Sequence, residues 1–326
     1  MKVLIAGGGG IGGFLGGFLL RSGAAVDFLV RREEARKAVL AGGLRVESRE
    51  GSFTVRPEGV YTELPAGYAA DLLVVAVKGQ ATGAVLAKLG DAKFETVVSL
   101  QNGLDKYEIL GEVFGPDRVL GMFTLSFATA AGDGVIKLEK LGPTYIGPIA
   151  GAREKQAEEI AGTFEAAGLP VARTDDILSC EWSKKAHWIP VSMISAVAGC
   201  FFSRVFSSPD LRRLYLLSMR EVAAVARAQG IPVRDVEDFE PLTLTGMSEE
   251  EALERLRMKG EALEKGPLGG YKQIMLQDLE AGRKTEMEET GGFVVRKARA
   301  AGVSAPLLDA MAAVIRYREN AAPASP

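Results

Sequence analysis

Lys2-Val3-Leu4-Ile5-Ala6-Gly7-Gly8-Gly9-Gly10-Ile11-Gly12-Gly13 is the stretch that decides the fold. Lys2 to Ala6 is an apolar run with the length of a buried strand, and Phe14 to Ser22 continues as an apolar helical stretch. Between them, Gly7, Gly9 and Gly12 give the spacing G-x-G-x-x-G. The first glycine permits a tight turn, the second lets a pyrophosphate approach the backbone, and the third lets the helix pack closely on the strand. A Gly23-Ala24-Ala25 turn then leads into a second strand, Val26 to Val30. Strand, glycine turn, helix and strand make a βαβ unit. Gly7, Gly9, Gly10, Ile11 and Gly12 are therefore expected to hold the phosphates of a dinucleotide at a helix N-terminus. The extra glycines at 8, 10, 13, 16 and 17 keep a flexible glycine-rich turn as the competing reading.

The end of the second strand selects the cofactor. An acid there would hydrogen-bond the ribose of NAD, whereas an arginine accommodates the additional phosphate of NADP. This chain reads Val30-Arg31-Arg32, with Glu33 and Glu34 beyond. The planar guanidinium of Arg31 suits phosphate, so NADP is the expected cofactor. Arginines that merely solvate the strand end and pair with the two glutamates are the alternative.

Further apolar runs at Asp71–Val77 and Thr96–Leu100 read as parallel strands with both faces covered. Residues 119–130 and 134–147, separated by Ala131-Gly132-Asp133-Gly134, read as a hairpin added at the sheet edge. A helix over Arg153–Ala167 and a short strand near Val171 complete this part. From about Asp176 the pattern becomes long helical periodicity, punctuated by Ser208-Pro209, Gly230-Ile231-Pro232 and Gly302. The expected fold class is α/β: a Rossmann-type, mainly parallel sheet over residues 1–175, followed by an all-helical domain over 176–320. Residues 321–326 are expected to form a disordered tail.

The 326 residues are 47% hydrophobic and 25% charged, enough apolar mass for two cores. A net charge of -3 argues against nucleic acid or an anionic membrane as partner. Cys180 and Cys200 lack metal-ligand spacing and His187 is the sole histidine, so no metal site is expected. No apolar run is long enough to cross a bilayer, and the reading places the protein in the cytoplasm. The long helices of the second half can support a homodimer.

Two short pieces sit just beyond strand ends, where open α/β sheets bind ligands. These are Ala76-Val77-Lys78 and Gln101-Asn102-Gly103. Each read alone is as ordinary as an exposed lysine or a turn. In the helical half, Trp182 to Trp188 is expected to start a helix. Lys184, Trp188 and Ser192 fall near one face of it, and Lys185, about 100° around, is expected to reach solvent. Glu286 lies in Lys284-Thr285-Glu286-Met287-Glu288. There, Thr285 with Glu288 reads as a capping box at a helix start.

Taken in order, these pieces resemble the ketopantoate reductase (2-dehydropantoate 2-reductase) family over nearly the whole chain. The resemblance rests on the N-terminal glycines, Arg31, Val77-Lys78, Asn102-Gly103 and Trp182-x-Lys184. It also rests on Met275-Leu276-Gln277-Asp278-Leu279 followed by Thr285-Glu286. It implies that Lys184 is the catalytic lysine and that Asn102 positions substrate and nicotinamide. It further implies that Lys78 lies near the active site and that Glu286 contacts the hydroxyl end of a 2-oxo acid. This chain departs from the family pattern at Trp188 and Ser192, where well-known members carry asparagines, and at Ile274, where they carry a serine. The implied activity is NADPH-dependent reduction of 2-dehydropantoate in pantothenate biosynthesis. A related reductase of another 2-oxo acid or a bulkier carbonyl compound remains open, as does a non-catalytic NADP-binding sensor.

Overall fold

The computed structural model describes residues 1–149, 153–266 and 269–321. The expected tail therefore lies outside the described residues from 322 on. Two compact units meet in sequence at Ile177 and Leu178. In the first, the strands are β1 (Lys2–Ala6), β2 (Ala25–Leu29), β3 (Leu44–Ser48), β4 (Gly51–Val55), β5 (Val60–Tyr61) and β6 (Ala69–Val75). They continue as β7 (Lys93–Ser99), β8 (Leu120–Thr124), β9 (Phe127–Gly132), β10 (Val135–Lys140), β11 (Thr144–Pro148) and β12 (Val171–Arg173). The helices of this unit are α1 (Gly10–Arg21), α2 (Glu33–Gly42), α3 (Thr82–Ala87), α4 (Lys106–Phe114) and α5 (Glu154–Ala166).

The central sheet has the order β5-β2-β1-β6-β7, and every pair in it is parallel. Side chains alternate across a strand, so β1 feeds two cores. Val3 and Ile5 join Phe14, Leu15 and Phe28 on one face, while Leu4 and Ala6 join Leu73, Val75 and Leu110 on the other. This is why the run from Val3 to Ala6 is uniformly apolar. Burying side chains of the size of Leu4, Ile5 or Phe14 stabilises the fold by roughly 1.5–3 kcal/mol each. The strand order reverses direction at β1 and β6, and their carboxyl ends define the crevice where doubly wound sheets bind ligands.

Helix α1 is packed on two sides through its glycines. A β-carbon at Gly12 would collide with the Gly7 carbonyl oxygen, and one at Gly16 with the Phe28 ring, so this stripe lies against the central sheet. A β-carbon at Gly10 would collide with the Ala128 carbonyl of β9. One at Gly13 would sit 2.6 Å from Ile136 of β10, and one at Gly17 2.6 Å from Val46 of β3. That second stripe lies against a separate four-stranded sheet of order β4-β3-β10-β9. The hairpin expected at the edge of the main sheet is thus corrected. The antiparallel pair β9–β10 forms, but it joins β3 and β4 as a cover over α1. A third sheet, β12-β11-β8, meets the central sheet among the described residues through the bridge Val97 to Val119.

The second unit is helical, in agreement with the expected fold class. It contains α6 (Ile177–Ala198), α7 (Phe202–Ser207), α8 (Pro209–Ala228), α9 (Pro241–Gly246) and α10 (Glu249–Lys265). These are followed by α11 (Ile274–Glu280), α12 (Gly291–Ala300) and α13 (Pro306–Asn320). Helix α6 begins five residues before Trp182 and runs through Pro190. Ser248 and Glu251 cap α10 reciprocally, worth about 1 kcal/mol. Inside this unit His187 is buried, and its ring stacks on Phe206 and Phe239. Its Nδ1 lies 2.6 Å from the Tyr215 hydroxyl. Burial holds this imidazole well below its ordinary pKa of 6.5, and the charge of Lys259 acts in the same direction. Burial thus favours the neutral ring, and Nδ1 shares a hydrogen bond with the tyrosine hydroxyl whose direction follows the tautomer.

Two predictions follow from this packing. Gly12→Ala and Gly10→Ala should each cost about 1–3 kcal/mol or more in denaturant unfolding, because backbone atoms oppose the new carbon. Gly9, with open space where a β-carbon would go, should tolerate alanine within about 0.5 kcal/mol. Equal losses at all three positions would contradict the packing account. For His187, the unfolded chain takes up a proton below about pH 6.5 and the folded chain does not. Stability is therefore complete above that pH and falls below it by up to about 1.4 kcal/mol per pH unit. Unfolding free energies measured from pH 7.5 to 5.5 should show a slope that becomes shallower in His187→Gln by up to about one proton at the acid end.

Candidate active site

The glycine turn is built as a cradle. Gly7 has φ +120°, and a β-carbon there would lie 2.7 Å from the Ala76 carbonyl oxygen, so the turn abuts the segment that follows β6. Its N–H donates to Leu29 O at 2.9 Å, which ties the turn to the end of β2 as well. Gly9 is the N-cap of α1 and brings no side chain to it, and the first turn carries no acidic residue. The leading N–H groups of a twelve-residue helix thus lack a side-chain cap. With Gly9 open to solvent, this arrangement suits an anion.

The arginines after β2 are not equivalent. Arg32 pairs with Asp133 in the β9–β10 turn, and Arg36 of α2 pairs with Glu33 at 2.8 Å. Arg31 is exposed and makes no hydrogen bond or ion pair among the described residues. Of the competing reading, the pairing with the adjacent glutamates is not found among the described residues: Arg32 reaches across to the second sheet, and Glu33 goes to Arg36. Arg31 itself is solvated.

The segments after β6 and β7 are stitched together. Lys78 caps a short 3-10 turn, Gly79–Ala81, and is half-buried. Thr82 Oγ1 donates to Gly79 O at 2.6 Å and accepts from Gln101 Nε2 at 2.7 Å. Ser99 Oγ in turn donates to Gln101 Oε1 at 3.0 Å. The Lys78 segment and the Asn102 turn are therefore one hydrogen-bonded structure, with Asn102 half-buried beside it. Sequence reasoning found Lys78 and Asn102 but missed Thr82, Ser99 and Lys106, whose ammonium also binds this turn. A threonine, a serine and a lysine in local context carry no signal of a shared network; only the folded register brings them together.

In the helical unit, Lys184 and Glu286 are 8% and 7% exposed, so both side chains are buried for most of their surface. Lys185, expected to reach solvent, is fully buried, with Nζ 5.0 Å from the centre of the Trp188 ring. The rotation of about 100° from Lys184 does not reach water because α6 has no solvent face. From 179 to 196 every residue is buried except Trp188, which keeps partial access. Ser192 Oγ donates to Gln273 Oε1 at 3.4 Å, which places the N-cap of α11, and the half-buried Ile274 after it, beside the fifth turn of α6. Gln273 is a buried polar residue that the sequence reading passed over in favour of its neighbour.

The expected capping box at Thr285 is also corrected. Helix α12 begins only at Gly291. Thr285 donates to Glu319 at 2.5 Å and accepts from Met287 N, while Glu288 binds Arg316 at 2.6 Å and Arg296 at 3.3 Å. Long-range partners win over the local cap here. Glu286 thereby lies on an irregular turn before the helix, its carbonyl accepting from Thr290 Oγ1 at 2.6 Å. Among the described residues no cluster of three or more His, Cys, Asp or Glu is placed to hold a metal ion. None of the described helices is long and apolar enough to cross a membrane.

Comparison with known proteins agrees in both halves. The chain is similar to the 2-dehydropantoate 2-reductase of Halobacterium salinarum, at 28% identity over 98% of this chain and 99% of the other. The crystal structure of 2-dehydropantoate 2-reductase from Geobacter metallireducens superposes with TM-score 0.83 at 26% identity, covering 97% and 99% of the two chains. The ternary structure of D-mandelate dehydrogenase with NADH and anilino(oxo)acetate has the same fold, with TM-score 0.84 at 19% identity over 98% and 99%. Residues 3–151 match the family description ketopantoate reductase PanE/ApbA, and residues 176–319 match that of its C-terminal part. The chain belongs to the ketopantoate reductase family.

Proposed function

We propose that this protein is an NADPH-dependent reductase of a 2-oxo acid, with 2-dehydropantoate as the first substrate to test. The observation that carries the reading is the pairing of a glycine cradle at Gly7–Gly12 with an exposed Arg31, just after β2, that has no partner among the described residues. Gly7, Gly9, Gly10, Ile11 and Gly12 would hold the pyrophosphate, and Arg31 the 2′-phosphate. Lys78 and Asn102 would line the nicotinamide end. When bound, the reduced dinucleotide supplies the hydride.

The remaining work falls to side chains of this chain. The Lys184 ammonium would hydrogen-bond the substrate carbonyl oxygen, stabilise the charge that develops on it and donate the proton. Its near-complete burial strengthens that electrostatic contribution, because little water is present to screen it. Glu286 would accept a hydrogen bond from a substrate hydroxyl. Asn102, held by the network through Gln101, would fix the reacting groups within transfer distance.

A second reading concerns the substrate. Trp188 and Ile274 stand where well-known family members carry polar residues, and both keep partial access. Ser192, meanwhile, is engaged with Gln273. That inventory favours a 2-oxo acid with an apolar or bulkier side group. Its plausibility is supported by the shared fold of the D-mandelate dehydrogenase determined with anilino(oxo)acetate.

The test is NADPH oxidation by the purified protein with 2-dehydropantoate alongside aryl and branched 2-oxo acids. Turnover with 2-dehydropantoate supports the first reading, and turnover only with a bulkier acid supports the second. Cofactor binding without any oxidation would mark a non-catalytic sensor. Against the best substrate, Lys184→Ala should lower kcat by roughly 10²–10⁴-fold while NADPH binds nearly as before. Near-normal turnover would remove the lysine from the mechanism. Arg31→Ala should weaken NADPH binding by about 10- to 100-fold and leave NADH use little changed. Parallel losses with both cofactors would defeat the 2′-phosphate assignment.

A further inference from the structure

A lysine that no part of the proposed chemistry uses lies buried beside the Asn102 turn. Lys106 is 1% exposed, and its Nζ donates to Ser99 O at 3.2 Å, Gln101 O at 3.1 Å and Met122 O at 2.9 Å. An ammonium has three N–H donors, and these three carbonyls satisfy them. A buried charge is costly unless it is paired in this way. Lys106 is also the first residue of α4, where a cation opposes the helix dipole. Helix formation therefore does not explain the lysine; its carbonyl partners do.

Those partners stand where two strands part. Among the described residues, the central sheet pairs with the segment entering β8 at the Val97–Val119 bridge, and beyond it no ladder joins the end of β7 to β8. Lys106 spans the gap from the β7 end to Met122 of β8. Tyr107 adds a second tie, its hydroxyl accepting from Met122 N at 3.2 Å. On the opposite side the turn is held by Thr82 through the Gln101 side chain. The backbone that leads into Asn102 is thus fixed from both sides, by an ammonium and by an amide network.

We propose that Lys106 is a positioning residue, which holds the Gln101-Asn102-Gly103 turn so that Asn102 meets the reacting groups in register. The proposal rests on the role given to Asn102 above. A displacement of a positioning group by about 1 Å is enough to cost on the order of 100-fold in rate. Loss of the clamp should therefore act on turnover through Asn102 and through nothing else.

The experiment is a double-mutant cycle on the full-length protein. Lys106→Met and Lys106→Gln are each made alone and together with Asn102→Ala. The measurements are kcat and KM for the 2-oxo acid that the wild type reduces, NADPH affinity by fluorescence, and the unfolding midpoint. Lys106→Met should fold, lower kcat by about 10- to 100-fold and alter NADPH affinity far less. In the Asn102→Ala background it should cause no further loss in kcat, since the two residues act as one unit. Lys106→Gln, which retains N–H donors, should recover part of the turnover. Wild-type kcat in folded Lys106→Met, or an equal loss with and without Asn102, overturns the proposal alone. So does failure of both Lys106 variants to fold, which makes the lysine a structural staple. A wild type that reduces no 2-oxo acid, or an Asn102→Ala variant with full turnover, overturns the reading of the site and the proposal with it.

Discussion

The close approach of α1 to two sheets is the constraint on which the first unit depends. Gly12 and Gly16 let the helix lie on β1 and β2, while Gly10, Gly13 and Gly17 let β9, β10 and β3 lie on the helix. Both contacts involve backbone carbonyls or rigid branched and aromatic side chains, which cannot retreat from an added methyl group. The helix is therefore buried along most of its length, although nothing in its local composition is a strong helix signal beyond apolarity. Its start is fixed at Gly9, and so is the position of the uncapped N–H groups. Packing and the proposed anion site draw on the same run of glycines at different residues: Gly9 faces open space and the others face protein.

The strand ends show a related economy. Open α/β sheets leave polar backbone at the carboxyl ends of their strands, and those groups need partners. Here Thr82, Ser99 and Lys106 supply them, and the Gln101 side chain ties Thr82 to Ser99. The result is a rigid platform under Lys78 and Asn102 in place of two loose loops. Rigid support of this kind is what a group needs if it is to contribute through orientation.

Within the helical unit the unusual feature is charge in a buried helix. Lys184 and Lys185 are adjacent in α6 and both withdrawn from water, and Trp188 one turn on is the part of that stretch with access to it. An ammonium in such surroundings interacts strongly with any oxygen presented to it, because the local dielectric is low. The same environment explains why His187, two residues past Lys185, stays neutral and serves as an aromatic core residue.

The sequence by itself determined the βαβ opening, the parallel character of the central strands, the change to helices near residue 176 and the family. Those features are local: glycine spacing, apolar run length and periodicity act over a few residues, and short ordered motifs survive where overall identity is low. It also placed Arg31, Lys78, Asn102, Lys184 and Glu286 as candidates. Only the tertiary structure decided what the surplus glycines were for, that β9 and β10 cover α1 instead of extending the main sheet, and that Lys185 has no route to solvent. It alone withdrew the capping box from Thr285, whose partner is Glu319, thirty-four residues away, and gave Lys106 its three carbonyls. Each of these outcomes is set by which distant surface closes over a residue. Hydrogen-bond donors and buried charges take the best partner in space, and nothing in the neighbouring sequence records where that partner will be.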